Sequence, residues 1–229
     1  MTQKHSLHPG DTREQVAARR AFLDAGFYAP LAKAVCRTAL EYAPTARAIL
    51  DVGCGEGYYS AQIAHELPQA ALYGLDISKD AVRLAAGRYK SGVWLCATAA
   101  HLPFPEHSFD LLISMFSLTV PKEFHRVLTP GGIFLQVLAA EDHLLSLKQT
   151  IYPQLLHREK TFASALPGFT LAECKTIDFS FTVQDAQIRN LLAMTPHVWR
   201  ITRQGAERLA GLERLTDRAS VVIQVYRAG

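Results

Sequence analysis

The stretch Asp51-Val52-Gly53-Cys54-Gly55-Glu56-Gly57 decides the fold, because it joins a short apolar run to an amphipathic one. The apolar run is 48–52, which is typical of a buried strand, and residues from about Tyr58 to Glu66 follow with helical spacing. Glycines between a strand and a helix let the backbone turn tightly and approach a ligand without an intervening Cβ atom. The stretch therefore predicts a ligand-binding turn at one edge of a parallel sheet.

Further apolar runs alternate with helical stretches on both sides of this turn. The predicted strands are 71–75, 93–96, 109–114 and 132–138, and the predicted helices between them include one that Ser78 caps and that runs to Arg88. Strands joined by helices predict an α/β fold with a doubly wound, Rossmann-like parallel sheet. Beyond Ala140, we expect a helix near 143–151, an extended segment over 171–183, a helix over 185–194 and a last strand over 219–226 that could close the sheet.

Two predicted helices precede the first strand. Asp11-Thr12 offers capping oxygens to the first helix, which Gly26 ends, and Pro30 opens a second helix that runs to about Tyr42. We expect residues 1–44 to form a helical cover, a substrate lid over the ligand edge, although simple packing explains them equally well. Residues 45–229 are predicted to form the cofactor-binding domain, with residues 140–200 contributing to the acceptor site.

Composition excludes several classes of protein. The chain has 229 residues, of which 49% are hydrophobic and 20% charged, and this suits one sizeable globular domain. Cys36, Cys54, Cys96 and Cys174 stand too far apart to indicate a disulfide framework or a zinc site, so no metal is expected. The chain has no apolar signal core and no run of roughly 20 apolar residues, so we expect no membrane association and a cytoplasmic location. A net charge of +3, spread along the chain, permits an anionic partner without indicating one.

The spacing of the glycines indicates which cofactor binds. Tyr58 stands where a dinucleotide-binding loop would have its last glycine, and the tighter Gly-x-Gly-x-Gly form suits S-adenosylmethionine, which has no phosphate to seat on the helix. Asp76 follows Asp51 by 25 residues and ends the second strand, where a carboxylate can accept both ribose hydroxyls. Capping of the next helix is the alternative role for Asp76. The cofactor contacts predicted from these motifs are Asp51, Gly53, Gly55, Gly57, Asp76 and Ile77.

In this order and spacing, the motifs resemble those of class I S-adenosylmethionine-dependent methyltransferases. The stretch Thr98–Phe104 is similar to the loop that brackets the adenine in those enzymes, which implies adenine contacts from Thr98 and Ala99. An aspartate is common where Thr98 stands, so a weaker contact with the adenine edge is expected. Phe109-Asp110 and the turn 129–132 complete the series.

Four stretches narrow the resemblance to the bacterial 23S rRNA (guanine-N1)-methyltransferase family. They are His8–Asp11, Arg19–Leu31, Cys54–Tyr59 and Leu192–Arg200. The resemblance implies that four more residues help to hold the cofactor, namely Tyr28, Tyr59, Ser60 and His143.

Two departures from the family pattern concern the acceptor. Family members begin with a zinc module that helps to recognise ribosomal RNA, and this sequence starts after the place where that module would end. The family also commonly carries an Ala-Pro element after the fourth strand, where this chain has Met115–Val120. We therefore expect an N-methyltransferase that acts on a free guanine-like or related small heterocycle and releases S-adenosylhomocysteine.

Two alternatives stay open. One is a 23S rRNA guanine-N1 methyltransferase that works without the zinc module and uses Arg19, Arg20, Arg200 and Arg203 against phosphates. The other is a non-catalytic protein that binds S-adenosylmethionine. The sequence does not indicate whether the chain forms a homodimer.

No catalytic acid or base stands out, because in-line transfer from a sulfonium mainly requires alignment and exclusion of water. The acceptor-side candidates are Phe116, Trp199, His197 and Asp24. Asp24 could equally be a helix-end charge, His197 a turn residue and Trp199 a core residue. Phe22 could also stack on a heterocycle, but a core position is expected for it.

Overall fold

The computed structural model describes residues 10–155, 162 and 165–229, so His8 and Pro9 lie outside the described residues. One mixed sheet forms the centre of the described chain. Its strands are β1 (Ala48–Val52), β2 (Ala71–Asp76), β3 (Gly92–Cys96), β4 (Phe109–Met115), β5 (Leu128–Ala139), β6 (Ala165–Leu166), β7 (Phe169–Gln184) and β8 (Arg214–Ala228). Their order across the sheet is β3-β2-β1-β4-β5-β8-β7-β6.

Five of these strands run parallel, as the sequence predicted. Strand β1 lies between β2 and β4, and β3 and β5 extend the parallel part on either side. The chain order reverses beside β1, where a doubly wound sheet opens a ligand crevice at the carboxyl ends of its strands. The last three strands are antiparallel, with β8 between β5 and β7, so the predicted closing strand is an inner strand of the sheet.

Eight α-helices accompany the sheet in the described part of the chain. They are α1 (Arg13–Asp24), α2 (Ala29–Tyr42), α3 (Tyr58–Glu66), α4 (Lys79–Arg88), α5 (Pro121–Val127), α6 (Leu145–Ile151), α7 (Ala186–Ala193) and α8 (Arg203–Ala210), with a 3-10 turn at Pro196–Trp199. Thr12 and Gln15 form the predicted capping box, with hydrogen bonds of 3.3 and 3.1 Å. Helices α5 and α8 were not predicted from the sequence, whereas α6 and α7, which are equally short, were.

Two hydrophobic clusters lie on the two faces of the sheet. Neighbouring residues of β1 divide between them, Ile49 on one face and Leu50 on the other, as the pleat of a strand requires. Phe22 is fully buried and packs against Tyr28 and Phe181, with ring centroids 5.1 and 5.7 Å away, so the core position expected for Phe22 is confirmed. Helices α1 and α2 thus share a core with the sheet, and their action as a lid stays a prediction.

Candidate cofactor and acceptor site

The glycine loop joins β1 to α3 in a conformation that side chains rarely adopt. Gly53, Gly55 and Gly57 have φ angles of +81°, +56° and +82°. The backbone amides of Gly53 and Cys54 donate to the carbonyl of Leu75, at 2.7 and 3.1 Å, and these bonds tie the loop to β2. The loop therefore presents bare backbone at the carboxyl edge of the sheet, as predicted.

Side chains from two distant segments cover the loop. A Cβ atom at Gly53 would overlap the side chain of Ser117, which follows β4. A Cβ atom at Gly55 would lie 3.3 Å from Nη1 of Arg19, on α1. The loop is thus confined between the N-terminal helix and the segment that follows the fourth strand.

Asp51 lies under this loop with one carboxylate oxygen unpaired. The Ser60 hydroxyl donates to Oδ2 at 2.5 Å, whereas the buried Oδ1 has no hydrogen-bond partner among the described residues. Burial raises the pKa of Asp51 to about 7; the Ser60 hydrogen bond opposes this rise and the Asp76 charge adds to it. An unpaired carboxylate oxygen suits a ligand ammonium, such as the one in the methionine portion of S-adenosylmethionine.

Asp76 is held at the end of β2 by two backbone amides. Its Oδ2 accepts from Gly55 at 2.9 Å and its Oδ1 accepts from Ser78 at 2.8 Å. Ser78 itself caps α4, because its hydroxyl accepts from the Ala81 amide at 3.4 Å. Asp76 is therefore not needed as the cap, and each of its oxygens keeps a lone pair that a ribose hydroxyl can use.

Ile77 and Thr98 lie next to Asp76 on adjoining segments. The Ile77 side chain is 43% exposed, and the exposed Thr98 hydroxyl accepts from the Ala100 amide at 3.2 Å. Cys96 pairs with Asp76 in the sheet, so the segment that holds Thr98 and Ala99 leaves β3 beside the predicted ribose contact. This arrangement suits the predicted adenine contacts.

An ion pair on α5 fixes the predicted adenine loop. Glu123 accepts from the Leu102 amide at 2.8 Å, and Arg126 donates to the carbonyls of Leu102 and Phe104 at 2.9 and 2.7 Å. The Arg126 hydrogen bonds hold the pKa of Glu123 near 2. This pair was not predicted from the sequence, because about 20 residues separate it from the loop along the chain and its helix was not predicted.

Two residues assigned to the cofactor by family resemblance come together near the acceptor edge. The Tyr28 hydroxyl lies 3.4 Å from Nε2 of His143, and the His143 ring centroid is 5.8 Å from that of Phe116. Tyr28 is buried before α2, whereas His143 and Phe116 follow β5 and β4. Tyr59 is half-buried in the first turn of α3, edge-on to Tyr58 with ring centroids 5.0 Å apart.

A carboxylate from β8 positions the segment that carries His143. Asp217 is buried and accepts from the amides of Ser146 and Leu147, at 3.1 and 2.8 Å, at the start of α6. The partners are about 70 residues apart, so no local pattern predicted this cap.

Phe116 is the acceptor-side candidate with the most unusual backbone. Its φ angle is +53°, which is rare for an aromatic residue, and its side chain is 44% exposed. The Phe116 amide donates to the Val137 carbonyl at 2.9 Å, and Gln136 hydrogen-bonds Thr119. Both contacts hold the segment after β4 against β5. Strained backbone of this kind clusters at functional sites.

Two of the other acceptor-side candidates, Asp24 and His197, contact side chains other than Phe116. Asp24 pairs with Arg88 at 2.7 Å, which fits the alternative of a helix-end charge. His197 is within 2.9 Å of the Tyr152 hydroxyl. Trp199 is 70% exposed, so its alternative role as a core residue is wrong. Among the described rings, Phe116 pairs with His143 and not with Trp199, so the two aromatic candidates are not brought into contact.

Two negative findings apply to the described part of the chain. No three His, Cys, Asp or Glu side chains converge there as a metal site. None of its helices is both long enough and apolar enough to cross a bilayer.

Comparison with known proteins supports the assignment of the cofactor. A model of the methyltransferase domain family matches residues 49–132. The 23S rRNA (guanine(748)-N(1))-methyltransferase of Streptomyces fradiae is 31% identical over 228 residues, which are 95% of this chain and 80% of that protein. The solved structure of the [4+2]-cyclase SpnF resembles the fold with a TM-score of 0.55 and 18% identity, over 84% of this chain and 80% of that one. The solved structure of the MccD protein resembles it with a TM-score of 0.54 and 17% identity, over 85% of this chain and 96% of that one.

Proposed function

We propose that this chain, which belongs to the 23S rRNA (guanine-N1)-methyltransferase family of class I S-adenosylmethionine-dependent methyltransferases, methylates N1 of a guanine base within RNA. Methyltransferase activity and S-adenosylmethionine as its cofactor follow from that membership. The choice of acceptor is the proposal, and it replaces the free heterocycle favoured by the sequence analysis.

The exposed Phe116 ring carries this proposal. Its ring is 44% exposed beside His143, and Leu118 on the same segment is 68% exposed. A free base needs a pocket that encloses it, whereas a base unstacked from RNA can be held by stacking on one exposed aromatic ring. The relative from Streptomyces fradiae, matched over 95% of this chain, is named for a reaction at guanine N1 of 23S rRNA.

The chain's task in the reaction is alignment. The bound cofactor supplies a sulfonium methyl group. N1 of guanine would release its proton to solvent water, its electron pair would form the new N–C bond, and the C–S bonding pair would stay on sulfur as S-adenosylhomocysteine leaves. The protein has to place N1 in line with the methyl carbon and sulfur. In this scheme, the glycine loop and Asp76 fix the cofactor, and Phe116 fixes the plane of the base.

The test compares acceptors and one variant. Purified protein is incubated with S-adenosylmethionine and either a hairpin from 23S rRNA, guanine or guanosine, and N1-methylguanine is measured by mass spectrometry. We expect methylation of the hairpin only. Since stacking contributes about 1–3 kcal/mol per base, Phe116→Ala should lower kcat/KM by about 5- to 150-fold. It should leave the Kd of S-adenosylhomocysteine within about twofold.

Val93→Ala is the matched control, because Val93 is 50% exposed on the edge strand β3, away from the segment after β4. Its kcat/KM should stay close to that of the unmodified protein. Methylation of guanine or guanosine with an inert hairpin would contradict the proposal and favour the small-heterocycle hypothesis. Binding of S-adenosylhomocysteine without turnover of any of these acceptors would favour the non-catalytic alternative.

A further inference from the structure

Arg19 projects from α1 onto the glycine loop. Its Nη1 atom would lie 3.3 Å from a Cβ atom placed on Gly55, so the guanidinium is next to the bare backbone of the loop. Only 24% of its side chain is exposed. A partly buried guanidinium beside a loop that binds an amino-acid moiety can pair with the carboxylate of that moiety.

Three carboxylates surround this guanidinium. Asp11 forms an ion pair with Nη2, Glu56 lies 3.9 Å from Nη1, and the Asp76 charge acts on Arg19 from the end of β2. The fork of a guanidinium has five donors, so Arg19 can keep its protein partners and still bind a ligand carboxylate.

Glu56 is the unusual member of this group. Its side chain is 2% exposed, and neither of its oxygens has a hydrogen-bond partner among the described residues. Burial raises the pKa of Glu56, and the nearby Arg19 charge opposes that rise. A buried carboxylate is costly and the Arg19 charge is its main compensation, so Glu56 in turn holds Arg19 over the loop.

We propose that the Arg19 guanidinium binds the carboxylate of the methionine portion of S-adenosylmethionine, and that Glu56 acts as the positioning residue for Arg19. This assignment rests on the cofactor stated above and is independent of the methyl acceptor. It complements Asp51, whose unpaired Oδ1 suits the ammonium group of the same moiety. The two charges of the amino acid would thus each meet an opposite charge next to the glycine loop.

Ligand truncation tests the assignment without relying on activity. S-adenosylhomocysteine carries the amino-acid moiety, whereas 5′-methylthioadenosine keeps the adenosine and the sulfur but lacks both the carboxylate and the ammonium. Binding of both ligands is measured by titration calorimetry. Arg19→Gln should weaken S-adenosylhomocysteine by about 10- to 100-fold, the range expected for lost charge-assisted hydrogen bonds. The same change should alter 5′-methylthioadenosine affinity by less than about threefold.

Arg20→Gln is the matched control. Arg20 is the next residue on α1 and pairs at 3.5 Å with Asp24, away from the glycine loop. Its substitution should leave both affinities unchanged. Arg19→Lys keeps the charge and should give an intermediate loss. Glu56→Gln should weaken the binding of S-adenosylhomocysteine only, and by less than Arg19→Gln does. It removes the residue that positions Arg19 and keeps the Arg19 guanidinium.

Two outcomes would overturn this inference and leave the cofactor assignment intact. One is unchanged affinity of Arg19→Gln for S-adenosylhomocysteine. The other is an equal loss for both ligands, since that would make Arg19 a general support of the fold. If the unmodified protein binds neither ligand, the cofactor assignment fails and the inference fails with it.

Discussion

Asp51 is predicted to link cofactor binding to pH, because its carboxyl group is buried. Its pKa is raised to about 7 by burial, so the group is mostly protonated below that pH in the free protein. A ligand ammonium favours the charged carboxylate, and binding below pH 7 therefore has to release a proton. At higher pH the carboxylate is already charged and no proton has to leave.

We expect the affinity for S-adenosylhomocysteine to rise between pH 5.5 and 7, by up to about tenfold per pH unit, and to level off above about pH 7.5. Calorimetric titration across this range measures it. Asp51→Asn should bind more weakly and without this slope. The ligand 5′-methylthioadenosine, which has no ammonium, should show no slope either. If the affinity for S-adenosylhomocysteine does not change with pH, Asp51 does not bind the ammonium group.

Gly53 is a loop position with no room for a side chain. Its φ angle of +81° disfavours alanine, and a Cβ atom would also overlap Ser117. We expect Gly53→Ala to lose more than tenfold in S-adenosylhomocysteine affinity, because the loop or the segment after β4 has to move. Gly26→Ala is the control, since Gly26 has a φ of +82° with no atom within 4 Å of an added Cβ. Gly26→Ala should lower the free energy of unfolding only by the backbone strain, about 1–2 kcal/mol. If the double variant Gly53→Ala/Ser117→Gly regains affinity for S-adenosylhomocysteine, the overlap with Ser117 is the cause of the loss.

At the scale of elements, the pairing of α5 with the adenine loop depends on ionised Glu123. Its pKa is lowered to about 2 from 4.5, so its stabilising contribution is fully present above pH 4.5 and disappears as the pH falls through 2. We expect Glu123→Gln to lower the free energy of unfolding by about 1–2 kcal/mol at pH 7. The difference from the unmodified protein should shrink steadily from pH 4.5 towards pH 2.

Urea denaturation at several pH values measures this effect. Glu207→Gln is the control, because Glu207 also pairs with an arginine on its own helix but is 64% exposed. Exposed pairs contribute little, so its substitution should change the free energy of unfolding by less than about 0.5 kcal/mol. A pH-independent effect of Glu123→Gln would show that the carboxylate charge is not what holds the loop.

Elements with strong local signals were predicted well. Strand β1, the capping box of α1 and the helix capped by Ser78 depend on contacts within a few residues, and the sequence located each of them. The antiparallel placement of β8 between β5 and β7 was not predicted. Pairing partners far apart in the chain leave no periodic pattern, and only the assembled sheet determines them.

At the scale of the whole molecule, cofactor binding should stabilise the fold, because the proposed site joins α1, the glycine loop, β2 and the predicted adenine loop. A ligand at about 100 times its Kd adds roughly 2.7 kcal/mol to the free energy of unfolding. For a chain of 229 residues, this corresponds to a Tm increase of about 5–10 °C. Differential scanning calorimetry with S-adenosylhomocysteine measures the increase, with adenine at the same concentration as the control. An unchanged Tm at saturating ligand would contradict the site as described.

The sequence by itself determined the part of this protein that is proposed to face the cofactor. The three loop glycines, Asp51 and Asp76 form a local strand-turn-helix pattern followed by a strand end, and a short motif is enough to specify it. The tertiary structure decided how that site is completed. Arg19, Ser117, Glu123 and Asp217 reach the predicted cofactor and acceptor segments from distant parts of the chain. Their roles depend on which distant side chains become neighbours when the two faces of the sheet are buried, and spacing along the chain does not encode that directly.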